Sequence, residues 1–187
     1  MNQYTAHDIQ AFLETYSANI THIVVAHTNF RPFDKTQRQI DRMAEQAKKD
    51  FTYALNCFDK LLFPNETNKP KRNPLLYKPL RFVTIENAKE NLGREQTIHF
   101  NIALGNLPQH SMCPFALGAL FQRAWVDIAK QADDVMTYRV SDYPREKTTW
   151  IGYSLKEAQQ QKDKAWRFDG TWDVTNCWIP HAALNTD

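Results

Sequence analysis

Cysteine, glycine and long apolar runs are all scarce in this sequence, and each shortage removes a class of protein. Three cysteines among 187 residues (Cys57, Cys113 and Cys177) are odd in number and form no CxxC pair. That argues against a disulfide framework and against a thiolate zinc site, so the three read as buried small hydrophobes. Five glycines are set among nine prolines, far from a collagen-like or low-complexity composition. The longest apolar runs, such as Ile23-Val24-Val25-Ala26, fall well short of the roughly 18–20 residues a membrane span requires. Net charge is scarce too, with 23 Lys+Arg against 21 Asp+Glu giving +2. The first residues, Met1 to Asp8, show neither a basic n-region nor an apolar h-region. No standard secretory signal is expected from them, and a cytoplasmic setting is.

What is present suits a packed core. Hydrophobic residues make up 42% of the chain and aromatics 12%, too apolar for a disordered chain, and the length fits one domain. We expect a single domain over 1–187, with 1–19 as an N-terminal helical extension and 180–187 as a polar tail. The charge is unevenly placed. Lys69, Lys71, Arg72, Lys78 and Arg81 fall within thirteen residues without an acid, leaving the rest of the chain at −3. Near-neutrality therefore does not exclude a nucleic-acid partner. A solvated, proline-broken loop is the plainer reading of the same segment.

Periodicity orders the elements. Ile9, Phe12, Leu13 and Tyr16 recur at helical spacing over Ala6–Tyr16, and the β-branched run from Thr21 to His27 reads as a strand. Over 35–63, Ile40, Met43, Ala47, Phe51, Ala54, Phe58 and Leu61 form one stripe, the mark of a long amphipathic helix packed on a sheet. A proline-rich loop to Pro79 follows, then strands over Leu80–Glu86 and Gln96–Leu104, joined as an antiparallel hairpin with a long tip. The remaining expectations are a helix over Phe115–Lys130, a strand over Val135–Val140, a helix over Thr148–Lys164 and a last strand over Trp172–Ile179. This order suits an α+β fold: a mostly antiparallel sheet of about five strands with helices packed on a face, related to ferredoxin-like folds.

Strand alternation selects the first candidate site. In Thr97-Ile-His-Phe-Asn-Ile-Ala-Leu104, Ile98, Phe100, Ile102 and Leu104 share one face, so His99 and Asn101 share the other. Glu86, at the end of the preceding strand, can meet them there. A carboxylate, an imidazole and an amide oxygen suit Mg²⁺ or Mn²⁺. Glu90 and Glu95 in the hairpin tip compete for the acidic role, and a half-exposed sheet face carrying unrelated polar residues is the plainer alternative. His22 and His27, five apart on the first strand, face opposite sides, and His27 is the one able to join this face. The second constellation is Tyr153-Ser-Leu-Lys156, which puts a phenol and an ammonium on one helix face. A tyrosine hydroxyl attacks a phosphodiester only where a nearby cation favours phenolate and neutralises the phosphate.

Taken in order, Arg81-Phe-Val-Thr-Ile-Glu86, Ile98-His-Phe-Asn101, Trp125 and Trp150-Ile-Gly-Tyr-Ser-Leu-Lys156 resemble the HUH-superfamily endonucleases, nearest to the rolling-circle replication initiators of small plasmids and phages. The resemblance spans about residues 20–178 and implies a sheet with the HUH strand at its centre. It implies metal-dependent nicking of single-stranded DNA through a covalent 5′-phosphotyrosine intermediate. Tyr153 matches the nucleophile, Lys156 the lysine after it and His99 the first histidine, with Glu86 as acidic ligand and Mg²⁺ or Mn²⁺ as cofactor. Asn101 departs from the pattern, standing where the second histidine belongs. An amide oxygen is neutral and binds Mn²⁺ more weakly than imidazole. The implied partners are single-stranded DNA or an origin hairpin, contacted by Lys69, Lys71, Arg72, Lys78 and Arg81, with a host helicase and polymerase for unwinding and synthesis. Two alternatives remain beside the nicking enzyme: a DNA-binding protein on the same fold that has lost catalysis, and a protein interaction module.

Overall fold

The computed structural model describes residues 6–64, 73–86, 96–142, 149–154 and 172–179. In chain order its elements are helix α1 (Ala6–Glu14), strand β1 (Ile20–His27), helix α2 (Gln37–Leu62), the short helix α3 (Pro74–Tyr77), strands β2 (Leu80–Glu86) and β3 (His99–Gly105), helix α4 (Pro114–Gln122), strand β4 (Val135–Arg139) and helix α5 (Trp150–Ser154). The strands form one antiparallel sheet in the order β2-β3-β1-β4. The fold is α+β with an antiparallel sheet, as the periodicity predicts, and the sheet holds four strands where about five were expected.

The missing strand has a geometric cause. Between Trp172 and Trp178 the chain touches β2 through two isolated bridges, Thr84 with Trp172 and Arg81 with Trp178. Three steps along β2 therefore face six along the later segment, and the surplus is looped out as the 3-10 turn Val174–Asn176. Asn176 closes that turn, its Nδ2 donating to Asp173 Oδ2 at 2.6 Å. The segment lies along the outer edge of β2 without continuing the ladder.

Alternation in β2 and β3 sorts side chains onto two faces. On the first, Val24, Ala26, Val83, Ile85, Phe100, Ile102 and Leu104 meet the buried stripe of α2 and Leu117 and Phe121 of α4. Phe51 of α2 stacks on Phe100 at 4.1 Å. The capping box at Thr36 and Gln39 starts α2 where its stripe begins. On the second face, Ile9 and Leu13 of α1, Tyr16 in the turn after it, and Trp150 and Ile151 of α5 cover Ile23, Val25, Phe82 and Ala103. Helices thus cover both faces, and the second is no half-exposed surface. Gly105 is required where β3 meets the start of β1, since a Cβ there would run into the Asn19 carbonyl. Among the described residues no helix is long and apolar enough to cross a membrane.

Two expectations are corrected at α4. The helix does not run unbroken to Lys130: it ends at Gln122 and widens into a π-turn over Arg123–Ile128. From that turn Trp125 donates its indole N–H to the His27 carbonyl at 2.8 Å, which holds the end of β1. Cys113 is exposed rather than buried. At the head of α4, the backbone N–H groups of Ala116 and Phe115 hold its thiol below the ordinary range.

His22 is fully enclosed on the first face. Its Nε2 meets the Met112 carbonyl at 3.0 Å and its Nδ1 the Thr21 hydroxyl at 2.9 Å, so Nε2 carries a proton that it donates to the carbonyl. Burial pushes its pKa below the usual histidine value, with Arg139 adding to the effect and Met112 and Asp142 opposing it. A depressed folded-state pKa means that the unfolded chain binds more protons. Stability is therefore complete above the unfolded value near 6.5 and is lost as pH falls toward the folded one. The unfolding free energy from urea titrations should drop from about pH 7.5 to about pH 5 by about 1.4 kcal/mol for each tenfold loss of proton affinity, and the drop should shrink in His22→Gln.

Candidate functional site

The register assembles a polar row on the second face. The pairing of β2 with β3 sets Glu86 opposite His99 and Thr84 opposite Asn101, and β1 sets His27 opposite His99. Glu86 and His99 meet: His99 Nε2 lies 3.2 Å from Glu86 Oε2. Asn101 Nδ2 donates to Glu86 Oε1 at 2.7 Å. Exposure of Glu86, His99 and Asn101 is 3%, 9% and 1%, so all three are buried.

The hydrogen bonds of His99 constrain what lies between it and Glu86. Its Nδ1 is 3.3 Å from the Thr97 carbonyl oxygen, which can only accept, so Nδ1 carries a proton. Nε2 then faces a carboxylate oxygen, and two acceptors at that distance repel unless a positive charge sits between them. A proton on Nε2, making imidazolium, supplies that charge, and so does a metal ion bound to the lone pairs of both. A Nδ1–H bonded to a carbonyl is also how metal-binding imidazoles are held in orientation.

His27 joins this site, although the resemblance assigned it no role. Its ring stacks on His99 at 4.7 Å and 19°. Its Nδ1 lies 3.0 Å from Thr97 Oγ1 and its Nε2 3.8 Å from Asp134 Oδ2. Burial first, then the neighbouring His99, pushes its pKa down, against the pull of Asp134 and Glu86. Strand register was the signal, since a residue at the end of β1 pairs with the first residue of β3.

Asn101 is turned with its amide nitrogen toward Glu86. Its Oδ1 is buried without a hydrogen-bond partner, and so is Thr84 Oγ1 on the facing strand. Both residues line a small enclosed cavity with Phe82, Trp150, Ser154 and Trp172. The space suits one water, which would satisfy both oxygens. For a cation between His99 and Glu86, these two residues fit as ligands. Asn101 fits as the residue that steadies Glu86, and its oxygen reaches such a cation only after the amide turns over. Among the described residues no group of three His, Cys, Asp or Glu side chains is placed to hold a metal ion. Asn101→Leu takes one donor from a buried carboxylate and should lower stability by about 1–3 kcal/mol in urea titrations.

The other predicted residues are spread more widely. Helix α5 carries Tyr153 in its backbone, and its neighbours Trp150 and Ile151 pack on the second face, where Ser154 reaches the cavity beside Asn101. The Tyr153 side chain, Lys156, the rival acids Glu90 and Glu95, and Lys69, Lys71 and Arg72 lie outside the described residues. Lys78 is half-buried with its Nζ 4.4 Å from the centre of the Trp178 ring. Burial lowers its pKa, with Arg81 adding to the effect and Asp59 opposing it.

Arg81, expected among the DNA-contacting cations, is only 4% exposed. Its NH1 pairs with Asp59 Oδ1 of α2 at 2.7 Å and its Nε donates to the Asn176 carbonyl at 2.9 Å. Alternation sends it to the first face, so it ties β2 to α2 and to the 172–179 segment instead of reaching solvent.

No protein-family model, curated protein sequence or solved structure matches the chain.

Proposed function

We propose that the protein is a metal-dependent single-stranded DNA nicking protein of the replication-initiator type, acting in the cytoplasm on an origin strand or hairpin. The observation that supports this reading is the buried contact between His99 of the inner strand β3 and Glu86 of the neighbouring strand β2, where either a proton or a metal ion can sit between the imidazole and the carboxylate. His99 and Glu86 would hold Mg²⁺ or Mn²⁺, and Asn101 would keep the carboxylate in place. When bound, the ion withdraws charge from the scissile phosphate.

Tyr153 supplies the nucleophile. Its phenol oxygen forms a bond to phosphorus and gives up its proton, the bond from phosphorus to the 3′ oxygen breaks, and that oxygen leaves as a 3′ hydroxyl after protonation. The 5′ phosphate remains on Tyr153 as a phosphodiester, and the freed 3′ end serves a host polymerase with a host helicase ahead of it. Lys156 favours the phenolate and balances charge beside it. Lys69, Lys71, Arg72 and Lys78 remain the cations for backbone contacts, and Arg81 leaves that set.

A second reading, DNA binding without cleavage, is favoured by one observation. Asn101 stands where a second imidazole would, and it presents a nitrogen rather than an oxygen to Glu86. Incubation with a labelled single-stranded oligonucleotide library and Mn²⁺, followed by denaturing electrophoresis, separates the readings. A denaturation-resistant adduct that EDTA prevents is the expected result. Salt-sensitive binding with no adduct would establish the second reading, and no binding at low salt would leave an interaction module.

A further inference from the structure

The two edges of the sheet are treated differently. The outer edge of β2 is engaged by the 172–179 segment, where Trp178 and Arg81 exchange both backbone hydrogen bonds at 2.9 Å and Asp173 N donates to the Val83 carbonyl at 3.0 Å. Among the described residues nothing pairs with the outer edge of β4. His27 N donates to the Asp134 carbonyl, which fixes the parity of the β1–β4 ladder. Asp134, Met136 and Tyr138 direct their main-chain groups to β1, and Val135, Thr137 and Arg139 direct theirs outward.

We propose that this edge pairs with β4 of a second copy, antiparallel about a two-fold axis through Thr137. That register sets Thr137 against itself and Val135 against Arg139, so that every outward N–H and carbonyl of the strand finds its mate. Two further features fit the same axis. Arg139 is exposed at one end of the strand, and Asp133 is exposed in the bend just before the other. Asp133 accepts from Gln122 of α4, which puts it on the face that carries Thr137, and the register makes each arginine the diagonal neighbour of the other copy's Asp133, within reach of a long side chain. On the same face, α4 and the edge strand leave an open groove lined by Phe115, Gly118, Gln122, Val135 and Thr137. Phe115, 86% exposed at its rim, is the apolar group that a facing copy would cover.

A two-fold axis normal to the sheet joins the two sheets into one of eight strands and puts both His99 sites on the same side. Across the strands the two copies of β3 lie roughly 24 Å apart. The inference is independent of the nicking reading, because it needs only the edge and its charges.

Sedimentation equilibrium of the full chain over a range of concentrations tests it. The wild type should reach a dimer. Thr137→Pro should hold it monomeric, since proline is tolerated where the N–H points away from the sheet and removes the central donor. Arg139→Asp and Asp133→Arg should each weaken the dimer at least tenfold, and the double exchange should recover it. Circular dichroism and a thermal melt of each variant exclude loss of the fold, and the amides of Val135, Thr137 and Arg139 should exchange more slowly as the concentration rises. A monomer at every concentration overturns the proposal, as does a dimer indifferent to both the proline and the charge exchange.

Discussion

Tyr153→Phe is expected to abolish the covalent protein–DNA adduct while leaving the affinity for single-stranded DNA and its salt dependence unchanged. The substitution removes one oxygen. In the proposed reaction that oxygen forms the bond to phosphorus, and no rearrangement of a phenyl ring supplies another. Loss of a nucleophile lowers turnover by on the order of 10⁴-fold or more in enzymes where the remaining groups still bind substrate. Binding rests on different physics, because phosphate neutralisation by lysine and arginine sets the slope of affinity against salt. Removing a neutral hydroxyl does not change that slope. Electrophoresis of the denatured complex reads the first quantity and fluorescence anisotropy at several salt concentrations the second. An adduct that persists in the phenylalanine variant would dismiss Tyr153 as the nucleophile. A variant that loses binding as well would give the residue a role in holding the strand.

The elements that were legible in the sequence are those whose period was strong and local. The stripe of α2 and the alternation of β2 and β3 each follow from side-chain geometry alone, and alternation was enough to place Glu86 beside His99. What stayed hidden depended on distant parts of the chain. Nothing near Thr97–Leu104 indicates that Leu13 of α1 and Trp150 and Ser154 of α5 close over Thr84 and Asn101, because those residues lie far away in the sequence on either side. The last strand failed because a 3-10 turn looped out residues that a strand would have kept in register, a contest between local turn chemistry and ladder pairing. Arg81 was assigned to DNA by the company it keeps in sequence. Alternation puts it on the same face as Val83 and Ile85, and there the carboxylate of Asp59 awaits it. A charge within a strand that is buried on both faces is better read by its parity than by its neighbours.

That burial makes Arg81→Met the substitution with the largest expected effect on stability, about 3–5 kcal/mol. The methionine fills much of the space but leaves Asp59 enclosed without its guanidinium, and it takes a donor from the Asn176 carbonyl that anchors the 172–179 segment. Lys78 stays near Asp59 and opposes part of the loss. Burial already pushes the Asp59 carboxyl above its ordinary value, with Arg81 as the principal influence holding it down. Without Arg81 it should rise further. A raised folded-state pKa in an acid means that the folded chain binds more protons. The associated stability is therefore complete below the unfolded value near 3.9 and is lost as pH climbs through the folded one. The deficit of Arg81→Met should accordingly be widest near neutrality and narrow on acidification, as read by urea midpoints across pH. Adding Asp59→Leu should recover most of it, because two apolar groups in place of a buried pair leave no uncompensated charge. Trp172, which lines the cavity beside Asn101, belongs to the segment that Arg81 anchors. Faster amide exchange at Asp173 and Trp178 should therefore accompany the single substitution. Equal deficits in the single and double variants would show that the ion pair contributes no stability beyond the volume of the arginine.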